Sequence, residues 1–359
     1  MRTQHPTSLR LFEPRPRLSW GAAPLLSLLA LAGCTSPPAL VDGPPQAYYQ
    51  TAFPLHDTSA ALEAAFRSLR RVVYTGEYHT HTFPIEAGVT ESDLADPGVL
   101  ARADGGFFET ESKRGTAVIV ARSGSRIALL TNDHVVRFPE VLVHHYEEAP
   151  ETPRAARRVA SVSLLTREWG GLLEHPDAGP FEVLSRDRAH DIALLDLRLP
   201  DLETADGFPP LEVQRGDPRR LSWGSFVYVL GFPSGFPMVT RAIVSDPDHD
   251  GRGGFLTDGL WNEGISGGPI LAIRGGGGRL EWVGMTRAGA GAWEVRLQPR
   301  GDEEIEDEVG ILYQGPIYAE RILRIQYGIT HSVPMTAIRE FLATNRDLLR
   351  QRGYALHGF

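Results

Sequence analysis

The chain of 359 residues holds a single cysteine and a single lysine. One thiol cannot close an intrachain disulfide, so packing and not cross-linking must stabilise the fold. With Lys113 as the lone lysine, nearly all positive charge is arginine, which reads as compositional bias and not as function. A basic excess is also missing: the formal net charge is −9, and Arg2, Arg10, Arg15 and Arg17 near the start, set against Glu13, leave the remainder more acidic still. No lysine and arginine stripe is available to neutralise phosphates, which excludes a nucleic-acid-binding role. Internal repeats are absent too. What the chain does have is 42% hydrophobic content, suited to a sizeable globular core.

The start of the chain reads as an address. Arginines precede the apolar run PLLSLLALAGC, which is too short to span a bilayer and ends in small residues, the pattern of a signal peptide over 1–33. Leu31, Ala32, Gly33 and Cys34 resemble the bacterial lipobox, whose cysteine is lipidated and becomes the new N-terminus. The resemblance implies a mature protein anchored by lipid on Cys34 in a bacterial cell envelope, facing the periplasm or the outside. Thr35 follows the cysteine where aspartate would signal inner-membrane retention, so the outer membrane is the expected destination. Residues 34–56 are proline-rich and lack a sustained period, as in an extended tether.

From residue 57 onward the pattern is that of one folded domain, 57–359. Leu62, Ala65, Phe66 and Leu69 share a helical face behind the capping-type residues Asp57, Thr58 and Ser59, predicting a short amphipathic helix. Short β-type runs follow: VVYTGEY, GTAVIVA, RIALLTN, ASVSLL, DIALLDL, SFVYVLG, VTRAIVS, WVGMTRA and ILRIQYG. Their separation by Gly, Pro, Asp and Asn predicts an all-β barrel or sandwich. Helical periodicity returns only at the end, through Met335, Ile338, Phe341, Leu342 and Leu349. Polar-rich insertions at about 84–112, 146–181 and 297–316 are expected as surface loops.

Three stretches carry chemistry. NEGISGGPIL sets Ser266 among glycines, either as a hairpin corner or as a nucleophile beside free backbone N–H groups. LLTNDHVV supplies His134 as a base, with Asn132 and Asp133 as turn residues. AHDIALLDL supplies Asp191 at the entrance of a strand, with Asp196 inside that strand as its rival and His190 as a neighbour. A serine is a weak nucleophile until a histidine takes its proton and a carboxylate orients that histidine.

In order and context these stretches resemble the trypsin-like serine proteases, in particular the disulfide-free bacterial HtrA (Deg) branch, over about Leu62 to Leu342. The resemblance implies two six-stranded antiparallel β-barrels, flanked by a short N-terminal helix and a C-terminal helix, with a catalytic cleft between the barrels. It implies a serine endopeptidase acting on polypeptide substrates through His134, Asp191 and Ser266, with the Gly264 and Ser266 N–H groups as oxyanion hole and no cofactor. By spacing from Ser266 it puts Leu260 at the base of the primary pocket, Thr286 on one wall and Arg287 close by. That pocket predicts cleavage after small or medium apolar residues, with little activity on Arg and Lys substrates; Arg287 would close the pocket or attract an acidic side chain.

The sequence also departs from the family. Ile265 stands where the digestive branch has the aspartate that pairs with a newly cut N-terminus, so activation by that route is not expected. Fewer than about twenty residues follow the core of the closing helix, against the 50 or more of a PDZ domain, so the trimeric and chaperone behaviour of HtrA proteins is not expected. The competing functions are a catalytically silent trypsin-like domain that binds extracytoplasmic polypeptides, and an esterase. The latter's alternating helices and parallel strands are not in the pattern. Two side motifs read as structure: Asp246–Asp250 begins like a calcium loop but has Thr257 at position twelve, predicting a hairpin turn, and His79 and His81 share a strand face with no third metal ligand in view.

Overall fold

A computed structural model describes residues 48–54, 57–146, 152–260, 262–275, 278–299 and 317–356. The signal peptide, Cys34 and the acidic run within 300–316 lie outside the described residues.

Two sheets, one after the other in the chain and antiparallel except for the short parallel pairing of Gln214–Arg215 with Glu281–Trp282, organise the molecule. The first contains β1 (Leu69–Thr82), β2 (Gly105–Ser123), β3 (Arg126–Thr131), β4 (Val141–His145), β5 (Val159–Leu172), β6 (Glu182–Asp187) and β7 (Ile192–Arg198). Its order is β4-β5-β1-β2-β3-β7-β6. The second contains β8 (Gln214–Arg215), β9 (Phe226–Gly231), β10 (Met238–Asp246), β11 (Leu256–Thr257), β12 (Pro269–Ile273), β13 (Leu280–Pro299) and β14 (Ile317–Pro334). Its order is β12-β9-β10-β11-β14-β13-β8, and pairing of β12 with β13 closes six of these strands into a barrel. The architecture is the all-β, two-barrel chymotrypsin-like fold, with the first sheet a seven-stranded half-barrel whose end strands do not pair among the described residues.

The continuous apolar runs follow from this arrangement, because the central strands are buried on both faces. In β2, Ala117 and Ile119 enter the core of the first sheet while Val118 and Val120 face the layer between the sheets. In β7, Ala193 and Leu195 alternate with Ile192 and Leu194 in the same way. In the second sheet, Val227 and Val229 of β9 fill the barrel while Tyr228 and Leu230 face the layer between. That layer also takes Ala65 from α1 (Ser59–Phe66), and Met335, Ile338, Phe341 and Leu342 from the closing helix Met335–Thr344. Every position expected on the face of the closing segment is buried, Leu349 included.

Two expectations are corrected. The insertions at 84–112 and 146–181 are not simply loops: β1 and β2 pair from Leu69↔Val118 out to Thr82↔Gly105, and β5 adds to the same arm. A satellite core of Phe83, Val89, Val99, Val159 and Val162 holds the connection beneath the arm. The polar residues on the arm's exposed face hid the strand period. The tether also joins the fold before residue 57. Tyr49 is buried, its hydroxyl donates to Glu281 Oε2 (3.0 Å), and Gln50 N donates to Ile273 O (2.9 Å).

Candidate active site

His134 sits in a single turn, Asp133–Val136, directly after β3, and Asp191 sits just before β7. Since β3 and β7 are paired, from Arg126↔Arg198 to Thr131↔Ala193, their ends bring the two residues together across 57 positions of sequence. His134 Nδ1 is 2.7 Å from Asp191 Oδ2, and the His134 backbone N–H donates to Oδ1 at 2.9 Å. Asp191 adopts φ 60°, a left-handed conformation that costs a non-glycine residue about 1–3 kcal/mol. Two bonds to this residue hold the strained turn: the His134 N–H, and the Asn132 side-chain amide, which donates to the Asp191 carbonyl at 2.9 Å. Asn132, which opens the turn, is fully buried and acts as a positioning residue.

The rival carboxylate is committed elsewhere. Asp196 is buried and accepts hydrogen bonds from Arg126, from Arg352 Nη1 (3.0 Å) and from the Tyr354 hydroxyl, fastening the C-terminal segment to the first sheet. His190 pairs with Asp187 (2.7 Å), and Asp133, also buried, pairs with Arg137 (2.8 Å).

Ser266 lies between β11 and β12, 2% exposed. Its Oγ donates to the Arg287 carbonyl at 3.2 Å, its only hydrogen bond among the described residues, while His134 Nε2 has none. Gly264 has φ 100°, and a Cβ there would collide with the Phe232 carbonyl oxygen, so only glycine fits. The N–H groups of Gly264 and Ser266 donate to no acceptor among the described residues, whereas Ile265, Gly267 and Gly268 N–H are all bonded. Two open donors beside a serine hydroxyl are what a developing oxyanion would need.

The sequence reading missed Thr116, which ties the two sheets together at this loop. Its N–H donates to Ser266 O (2.8 Å), its hydroxyl donates to Gly264 O (2.7 Å), and the same hydroxyl accepts from Phe232 N–H (3.1 Å). In sequence it is one more threonine opening a strand, indistinguishable from ordinary β-propensity. Thr286 was expected on a pocket wall; it is fully buried, and its hydroxyl contacts the Ile265 (2.7 Å) and Gly268 (3.1 Å) carbonyls, so it braces the loop. Leu260, expected at the base of an enclosed pocket, is 65% exposed. Spacing along the chain locates its Cα relative to Ser266, but enclosure depends on which other segments cover it. Arg287 brings its Nε to 3.5 Å from Asp191 Oδ2 while its carbonyl holds Ser266.

Residues 115–277 match the family of trypsin-like peptidase domains. These residues form a trypsin-like peptidase domain. The matched segment opens at Gly115, beside the Ser266 carbonyl, and takes in His134, Asp191 and Ser266. Among solved structures, this trypsin-like chain is similar to the HtrA-type protease AlgW with a decapeptide, at 17% identity and TM-score 0.41 over 81% of this chain and 67% of that one. A serine endoprotease from Yersinia pestis matches at 15% identity and TM-score 0.38, over 82% and 67% of the two chains. AlgW with a tripeptide matches at 17% and 0.40, over 81% of this chain and 64% of that one. No curated protein sequence matches the chain.

The side motifs resolve into local structure. Within the Asp246–Asp250 turn, Asp248 accepts from Gly253 N–H (2.7 Å), and Asp250 accepts from Arg252 and Gly254 N–H (2.9 Å each). The His79 and His81 rings lie 4.2 Å apart, centroid to centroid. Among the described residues, no group of three or more His, Cys, Asp or Glu side chains is arranged to hold a metal ion.

Proposed function

We propose that this chain is a serine endopeptidase of the HtrA-like branch, anchored by lipid on Cys34 in a bacterial envelope, most simply in the outer membrane. The observation that carries the catalytic reading is the bonding of both Asp191 oxygens to His134, beside a serine flanked by two open N–H donors. In this reading Ser266 Oγ leaves the Arg287 carbonyl, gives its proton to His134 Nε2 and attacks the peptide carbonyl carbon. The carbonyl oxygen, now negative, is met by the Gly264 and Ser266 N–H groups, worth about 3 kcal/mol per donor. Asp191 stabilises the imidazolium, which then protonates the leaving amine as the C–N bond breaks; water repeats the sequence on the acyl-enzyme and frees Ser266.

A second reading is favoured by one feature. Ser266 rests on Arg287 and Arg287 on Asp191, as a catalytically silent domain that binds extracytoplasmic polypeptides would allow. Labelling with a fluorophosphonate separates the two: the endopeptidase labels at Ser266 and loses the label in Ser266→Ala, while absence of label in the folded wild type overturns it. Anchoring has its own test. Cys34→Ser is expected to leave the membrane fraction and to incorporate no fatty-acid analogue; persistent incorporation refutes the anchor.

A further inference from the structure

We infer that the cleft selects polypeptides with acidic side chains beside the scissile bond, read by Arg287 on one flank of Ser266 and by Arg114 on the other. The position of the cleaved bond rests on the endopeptidase reading; the charge selection does not. Arg287 occupies the extra position of a bulge in β13, where the register with β14 slips between Thr286 and Ala288. The bulge turns its side chain out of the ladder toward Asp191, where the side chain is 44% exposed. Its Nε contact of 3.5 Å is loose, because Asp191 Oδ2 already holds His134 Nδ1 at 2.7 Å. Neither Nη group donates a hydrogen bond among the described residues, and the charge facing Arg287 besides Asp191 is the His331 imidazole. A guanidinium with an open fork is built to take a carboxylate through two parallel hydrogen bonds.

The other flank is a cleft of about 620 Å³ whose lining includes Arg71, Arg114, Phe232, Phe236, Glu263 and Gly264. Arg71 is occupied by Glu174 at 2.7 Å, but Arg114 is exposed and makes no ion pair among the described residues. Gly115, the next residue, lies against the Ser266 carbonyl, so Arg114 stands within two residues of the nucleophile loop. Glu263 is the one carboxylate in this lining and opposes the two arginines. An acidic peptide thus meets the exposed, loosely held guanidinium of Arg287 next to Ser266 and the ion-pair-free Arg114 in the adjoining cleft, and a lysine- or arginine-bearing peptide meets like charge at both. When a substrate carboxylate takes the Arg287 fork, Asp191 loses a competing cation and faces the forming imidazolium alone, so the preference extends to kcat as well as KM.

The test uses paired peptides that differ only by Glu or Gln beside the cleaved bond. Hydrolysis by the full chain is expected to favour the Glu peptide by about ten- to hundred-fold in kcat/KM, the range of a hydrogen-bonded charge pair. Arg287→Gln should collapse that ratio toward one, Arg287→Lys should retain part of it, and Arg287→Glu should turn the preference toward Lys peptides. Binding of the same fluorescent peptides to Ser266→Ala, read by anisotropy, gives the ratio without catalysis. A ratio near one in wild type that still labels with fluorophosphonate overturns the charge selection and leaves the endopeptidase reading standing. Glu-selective binding without label or hydrolysis overturns the endopeptidase reading and keeps the selection. A wild-type ratio unaffected by Arg287→Gln removes Arg287 from the role.

Discussion

Asp191 and Asp196 stand five residues apart around one apolar strand, and replacing each by asparagine should separate catalysis from stability. In Asp196→Asn a side chain only 2% exposed loses the charge that Arg126, Arg352 and Tyr354 share. Removing one partner of a fully buried pair costs about 3–5 kcal/mol, but both guanidinium groups are roughly one-third exposed and water recovers part of the loss. The expected destabilisation is about 2–4 kcal/mol, or roughly 5–10 °C in melting temperature for a domain of this size. Asp191→Asn keeps an oxygen for the His134 N–H and should melt within a few degrees of wild type. It offers an amide where His134 Nδ1–H needs an acceptor, favours the wrong tautomer and should lower hydrolysis by about four orders of magnitude. The assay is thermal unfolding by circular dichroism alongside peptide hydrolysis at a temperature where both variants are folded. If Asp196→Asn kills hydrolysis without lowering the melting temperature, or Asp191→Asn does the reverse, the assignment of the two carboxylates is wrong.

Ser266→Ala and His134→Ala should each lower hydrolysis by several orders of magnitude with melting temperatures near wild type, and residual activity within about tenfold removes them from the chemistry. Gly264→Ala, at φ 100° and against the Phe232 carbonyl, should lose both activity and stability, whereas a variant with full fluorophosphonate labelling would show that this backbone is free to move. Burial first, and then Asp196, raise the Tyr354 hydroxyl well above the ordinary tyrosine range, so it remains a donor in the folded state. Because the folded pKa lies above the unfolded value, this contribution is complete below about pH 10 and is lost as pH climbs through the folded value. Urea midpoints should therefore fall between about pH 9 and pH 11, and should fall less steeply in Tyr354→Phe; identical slopes would refute the linkage.

Much of this molecule was legible in one dimension because its local signals are strong. Runs such as GTAVIVA and DIALLDL can only be strands buried on both faces, and Met335, Ile338, Phe341 and Leu342 can only be one helical stripe. Ser266 among glycines, with His134 and Asp191 in their strand-end settings, could be picked out as candidates because turn chemistry and backbone freedom are local properties. The tertiary structure decided what depends on partners far along the chain. Asp191 and Asp196 look alike in sequence, and only the bond to His134 at one and the pairing with Arg352 and Tyr354 at the other tell them apart. Thr116 braces a loop 148 residues away, Arg287 reaches Asp191 from the second barrel, and Leu260 is open to solvent although its spacing suggested a pocket floor. Periodicity states which face of an element is apolar. Which element covers that face, and which charge meets which, is set by the register of strands distant in sequence, and that exists only once the two sheets have closed on each other.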